Sequence, residues 1–202
     1  ALEGFIWDIT ERKNQEQKIA RLNRVYALLH EINNAIVRIH DRDALFWETC
    51  RIAVEHGELD VAWIGYLEAG SSDLVPMAHY GEGSEQLIRN PHSIRSDDPG
   101  YQCMINDALR EKRVVVRNDL AAEAYVHSES AIAVSLGYQS GIAIPLLVDK
   151  QCVGVLVLYT AAAKFFTNDE LQLMNELGRD LSFALNFIEK EVFWILIRMF
   201  EL

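Results

Sequence analysis

Two stretches of this sequence repeat apolar side chains at alternating steps of three and four residues, and few folds accommodate both. In the first, Leu22, Val25, Leu29, Ile32, Ile36 and Ile39 are spaced 3, 4, 3, 4 and 3, inside a run from Thr10 to His40 that holds neither glycine nor proline. In the second, Leu171, Met174, Gly178, Leu181, Leu185, Ile188, Val192, Ile195, Met199 and Leu202 keep one register to the last residue, with Gly178 as the only gap. Steps of this kind lay an apolar seam along one side of a helix, as in a coiled coil. A helix over residues 14–40 would be about 40 Å long, too long for one small domain to bury completely. The expectation is therefore a parallel homodimer with Leu22, Val25, Leu29, Ile32, Ile36, Ile39, Leu181, Leu185, Ile188 and Val192 near the two-fold axis. An amphipathic helix packed on its own domain is the competing reading. Past Glu191, Phe193, Trp194, Leu196, Ile197 and Phe200 make the last helix apolar all round, so residues 191–202 read as an apolar extension.

Between the seams the pattern changes. Residues 4–9 (GFIWDI) read as the end of a strand, and residues 14–40 as a linker helix. Ala44 to His56 reads as a second helix closed by Gly57. Val61 to Leu67 and Leu74 to Tyr80 read as a hairpin around Gly70-Ser71-Ser72-Asp73. Residues 84–100 are weakly patterned, Gly100 to Lys112 is helical, Val114 to Val116 is a short strand, and residues 119–137 form a partly helical excursion. Ser140 to Val148 and Cys152 to Thr160 are apolar nearly throughout, which places them mid-sheet, and Thr167-Asn168-Asp169-Glu170 caps the last helix. The order predicts an α+β fold: an antiparallel sheet with the N- and C-terminal helices on one face and a loop and helix excursion over the other.

Composition narrows the function. Nineteen basic against thirty acidic residues give a net charge of −11, which disfavours nucleic acid and anionic membranes as partners. Cys50, Cys103 and Cys152 are three widely spaced cysteines, which argues against a disulfide framework or a zinc site and for a cytoplasmic protein. The longest strongly apolar run, Val192 to Ile197, is far short of the roughly 20 residues of a membrane helix. The opening Ala1-Leu2-Glu3-Gly4 starts in mid-pattern and reads as a segment of a longer polypeptide.

Four stretches then carry a family resemblance: Cys50-Arg51-Ile52-Ala53-Val54 leading to Val61-Ala62-Trp63-Ile64-Gly65; Asp98-Pro99-Gly100 followed by Ala108 to Lys112 and Val114 to Asp119; Leu136 to Leu146 with Val153-Gly154-Val155-Leu156; and Phe165 to Glu170. In this order and spacing, residues 41–190 resemble a GAF domain of bacterial multidomain signalling proteins with cyclic-di-GMP (GGDEF, EAL) or histidine-kinase outputs. Residues 1–13 resemble the end of a PAS domain and its linker. The resemblance implies a small-molecule cavity between the sheet and the excursion, lined here by Trp63, His79, Tyr80, Tyr101, Tyr125 and His127.

The chemistry of such relatives can be checked residue by residue. Cyclic-nucleotide-binding relatives carry Asn-Lys where this chain has Tyr159-Thr160, although Phe165, Asp169 and Glu170 match the second half of their motif. Covalent bilin attachment needs a cysteine in the excursion, and residues 119–137 have none. Imidazoles at His79 and His127 leave haem ligation open, so the cofactor is not identified. Gly137-Tyr138-Gln139-Ser140-Gly141 misses a serine-hydrolase elbow because Gln139 stands at its centre. The expectation is thus a non-catalytic sensory module that binds an unidentified small molecule and relays a signal through its flanking helices. The competing reading is a free-methionine-sulfoxide reductase using Cys103.

Overall fold

The computed structural model describes residues 2–67, 73–89, 92–93, 103–123 and 128–200. In chain order it runs α1 (Leu2–Arg38), α2 (Arg42–Gly57), β1 (Val61–Leu67), β2 (Asp73–Gly81), α3 (Ser84–Ile88), β3 (His92–Ser93), α4 (Met104–Glu111), β4 (Val115–Arg117), α5 (Leu120–Glu123), α6 (Ser128–Ser135), β5 (Ser140–Val148), β6 (Gln151–Thr160) and α7 (Asn168–Phe200). The six strands form one antiparallel sheet in the order β3-β2-β1-β6-β5-β4. The expected α+β architecture is what the chain adopts, with the two apolar strands β5 and β6 inside the sheet.

Strand alternation separates two cores. The row Tyr80, Ala62, Leu158, Ile142 and Val116 packs on the face covered by α1, α2 and α7. The next row, His79, Trp63, Val157, Ala143 and Val115, points to the opposite face, beneath α3 to α6. Local chemistry fixes the helix ends. Asp41 caps α2 by accepting from the Ala44 amide at 2.8 Å, and at the start of α7 the Thr167 amide donates to Glu170 Oε2 at 3.0 Å. Gly57 does not supply the left-handed stop expected of it. Glu58 does, at φ 52°, while Gly57 is the last helical residue, packed where a Cβ would meet Leu28 Cδ2 at 3.3 Å.

The two seams turn out to be core. Val25, Leu29 and Ile32, with Leu181, Leu185 and Ile188, are buried in the single chain, and Leu22, Ile36 and Ile39 pack against the same cluster. A side chain already withdrawn from water in one chain has little surface left to give to a second, so Val25, Leu29, Ile32, Leu181, Leu185 and Ile188 are interior residues, whereas Leu22, Ile36 and Ile39 are half-buried. The side chain of Val192 lies outside the described residues. The reason is stripe width. Leu28 and Ala35 on α1, and Leu177 and Ala184 on α7, are buried too, which broadens a two-per-heptad seam into the wider face of a helix packed on a sheet. Gly178 fits the same picture, because a Cβ there would stand 2.7 Å from Ile144 Cγ2, so α7 lies close on β5.

Residues 4–9 also differ from expectation. They are the first turns of α1 rather than strand, since a helix satisfies its backbone locally whereas a strand needs a neighbour, and among the described residues none lies beside it. Among the described residues no helix is long and apolar enough to cross a membrane.

Candidate functional site

The excursion face builds its floor from β1 and its neighbours. Trp63 is 1% exposed and stands between His79 on β2 and Val157 on β6. His79 Nδ1 lies 2.9 Å from the Ser84 hydroxyl at the start of α3. Tyr138 stacks on Tyr159 with ring centroids 5.8 Å apart and donates from its hydroxyl to the Glu82 carbonyl at 2.5 Å. Cys103 caps α4, its Sγ accepting from the Asn106 amide at 3.5 Å, and both residues are buried. Imidazole, hydroxyl, thiol and amide groups therefore lie on the same side of the sheet as the aromatic rings of Trp63, Tyr138 and Tyr159.

Of the residues expected to line that site, Trp63 and His79 are brought together. Tyr80 is corrected. Being next to His79 in a strand it faces the other way, where it donates to Glu55 Oε1 at 2.7 Å and meets the Trp47 ring edge-on at 6.2 Å. Tyr101, Tyr125 and His127 lie outside the described residues. Among the described residues no group of three or more His, Cys, Asp or Glu side chains could share a metal ion. Burial pushes the Cys50 and Cys152 thiols up, which suits packing rather than reactivity.

One cluster was not foreseen. Tyr66, three residues beyond Trp63 on β1, points to the helical face, where its hydroxyl donates to Glu189 of α7. The Arg42 guanidinium lies 4.8 Å from the Tyr66 ring centre, and Phe46 packs beside it at 6.0 Å. The start of α7 is joined to the middle of α1 by Lys18 and Asp169 at 2.5 Å. Nothing in the sequence links positions 66 and 189. Strand alternation gives only the face on which Tyr66 falls.

Burial, then the Glu189 carboxylate, pushes the Tyr66 phenol up to about 12, against the opposing pull of Arg42. The folded chain thus holds that proton more tightly than the unfolded chain, whose phenol titrates near 10. The resulting stability is complete below pH 10 and is lost as pH rises through 12. Between these values the melting temperature should fall more steeply in the wild type than in Tyr66→Phe, and parallel curves would contradict the assignment.

Comparison with known proteins is consistent with this geometry. The sequence model of the family described as GAF domain matches residues 39–186. Solved structures are similar in fold. Free methionine-R-sulfoxide reductase from Neisseria meningitidis in complex with its substrate has a TM-score of 0.65 at 20% identity, over 83% of this chain and 91% of its own. The GAF domain of A. aeolicus nlh2 in an inactive state gives 0.62 at 13% identity, over 81% and 96%. The GAF domain of a phosphoenolpyruvate-protein phosphotransferase from Coxiella burnetii gives 0.67 at 14% identity, over 84% and 97%. No curated protein matches this chain in sequence. The Neisseria structure is that of an enzyme, which corrects the expectation of a non-catalytic chain: this fold carries catalysis as well as regulation.

Proposed function

The chain belongs to the GAF domain family, and from that premise we propose that it binds a small molecule beneath the excursion and passes the effect through α7, and α1 beside it, toward an output of the cyclic-di-GMP or histidine-kinase type. The observation that carries this reading is the two-sidedness of β1. Trp63 faces the candidate pocket, and Tyr66 on the same strand grips α7 through Glu189. A ligand that shifts β1 by a fraction of an ångström must strain or release that contact, because packed interiors transmit displacement rather than absorb it.

The reading includes pairing of two copies, now through the outer face of α1. Ile19, Asn23, Tyr26, His30, Asn33 and Val37 recur there at steps of 4, 3, 4, 3 and 4. Ile19, Tyr26 and Val37 are 59%, 58% and 76% exposed, and Phe187 stands exposed on α7. Ile19 and Tyr26 stand one heptad apart with Val37 further along the same face, and exposed apolar side chains on one helix face are what a helix presents to a second helix.

Native mass spectrometry of the freshly purified protein tests ligand binding. The expected result is a chain of 23.0 kDa carrying a non-covalent small-molecule mass. A bare chain, with no mass regained on incubation with a metabolite extract, would contradict it.

A second reading rests on Cys103. Its thiol sits at the N-terminus of α4, where its sulfur accepts from the Asn106 amide. Acting on free methionine sulfoxide, that sulfur would take up the oxygen as a sulfenic acid and leave methionine. Two equivalents of an external thiol would then return Cys103 and release water and a disulfide. Turnover with dithiothreitol that disappears in Cys103→Ser would support this reading, and no turnover would remove it.

A further inference from the structure

A groove on the opposite side of the sheet from Trp63 offers a second site. β4 pairs with only residues 141–143 of β5, so among the described residues that edge of β5 has no strand beside it from Ile144 onward. α7 covers that edge with side chains instead. The Leu147 amide donates to Ser182 Oγ at 2.9 Å, Asn186 Nδ2 donates to the Leu147 carbonyl at 3.1 Å, and the Asp149 amide donates to Asn186 Oδ1 at 2.9 Å. Pro145 has no amide to satisfy. The local demand for backbone partners is thus largely met, which argues against an added peptide strand as the occupant. What stays open is a groove of about 370 Å³ with Ile144, Pro145 and Leu147 among its lining and Phe183 alongside. That size lies in the range of small-molecule sites.

Its charge is opposite to that of the chain. Lys112, Arg113, Lys150 and Arg179 line the groove, and among the described residues no aspartate or glutamate does, in a protein of net charge −11. Arg113 is paired with Glu111. Lys112 Nζ donates to the Lys150 carbonyl at 2.9 Å and to Gln151 Oε1 at 3.4 Å, both uncharged, and among the described residues neither Lys150 nor Arg179 has a carboxylate partner. Lys150 is carried on the tight β5–β6 turn, where φ is 46° at Asp149 and 64° at Lys150.

We propose that this groove binds a small amphiphilic anion, an apolar chain or ring bearing a carboxylate, with the apolar part on the half-buried Leu147 and the exposed Phe183 and the acid group held by Lys112, Lys150 and Arg179. The apolar lining supplies affinity by excluding water, and the cations select an acid over a neutral molecule of the same shape. Such a ligand touches α7 directly and needs no path through Tyr66, so its binding stands or falls separately from the site beneath the excursion.

The experiment is calorimetric titration of the whole chain with decanoate and, at equal chain length, decanol. Decanoate is expected to bind with one site per chain, and decanol about tenfold more weakly or worse. Lys150→Gln combined with Arg179→Gln alters exposed side chains only, so it should leave the melting temperature unchanged while weakening decanoate about tenfold and decanol hardly at all. Arg179→Glu alone should weaken decanoate in the same direction. Equal binding of acid and alcohol, full decanoate affinity in the double variant, or no decanoate binding up to millimolar concentration would each overturn the proposal.

Discussion

Ile32→Glu is expected to unfold the domain, and Tyr26→Glu to leave it folded but monomeric. Ile32 has no exposed surface and lies within the core between α1, α2, α7 and the sheet. A glutamate there loses the packing of the isoleucine and must either bury a charge with no partner or take up a proton. The combined cost is on the order of 5 kcal/mol, against a total stability of about 5–15 kcal/mol for a domain. The melting temperature should fall by roughly 10–20 °C, if a cooperative transition survives at all. Tyr26 is 58% exposed on the same helix, so a charge there costs the fold little while opposing apolar contact with a second copy. Thermal unfolding followed by circular dichroism, with equilibrium sedimentation at micromolar concentration, reads both variants. An Ile32→Glu chain that is folded and monomeric would return the seam to an interface between copies.

Gly81→Ala is expected to be the most damaging single-methyl addition, and Gly137→Ala a mild one, although both glycines have positive φ. At Gly81, φ is 103° and a Cβ would stand 2.2 Å from the Asp60 carbonyl oxygen and 2.9 Å from Val61 Cα. Those atoms are backbone at the entry to β1 and cannot turn aside, so relief requires breaking the β1–β2 register at Val61↔Gly81. At Gly137, φ is 92° but nothing lies within 4 Å of the added atom. The second substitution therefore costs only the backbone strain of an L-residue in that region, about 1–2 kcal/mol. The first adds a steric term and should total about 3–5 kcal/mol. Denaturant titration compares the two directly, and equal losses would mean that strain alone decides.

Much of the fold was legible in the sequence because periodicity reports burial. Strands β5 and β6 were found from continuous apolar runs, and α7 from its cap at Thr167 and Glu170. Periodicity does not say what covers a buried face, however. The 3-and-4 spacing of Leu22 to Ile39 is compatible with a partner helix and with the chain's own sheet alike, and only the additional burial of Leu28 and Ala35 distinguishes them. Alternation along β2 could have separated His79 from Tyr80, since consecutive strand residues do not share a face. The contact of Tyr66 with Glu189, and the cations that Lys112, Lys150 and Arg179 bring to one groove, depend on long-range packing for which no local pattern exists.

The link from the excursion face to α7 through Tyr66 is tested most directly by amide hydrogen exchange in a double-mutant cycle of Trp63→Phe and Tyr66→Phe. Trp63→Phe alters the sheet face beneath the excursion without touching α7. It should change protection of residues 186–191 several-fold beyond any change in α2, and that excess should vanish when Tyr66→Phe is already present. An unchanged α7 in Trp63→Phe, or an excess of the same size in both backgrounds, would contradict the relay.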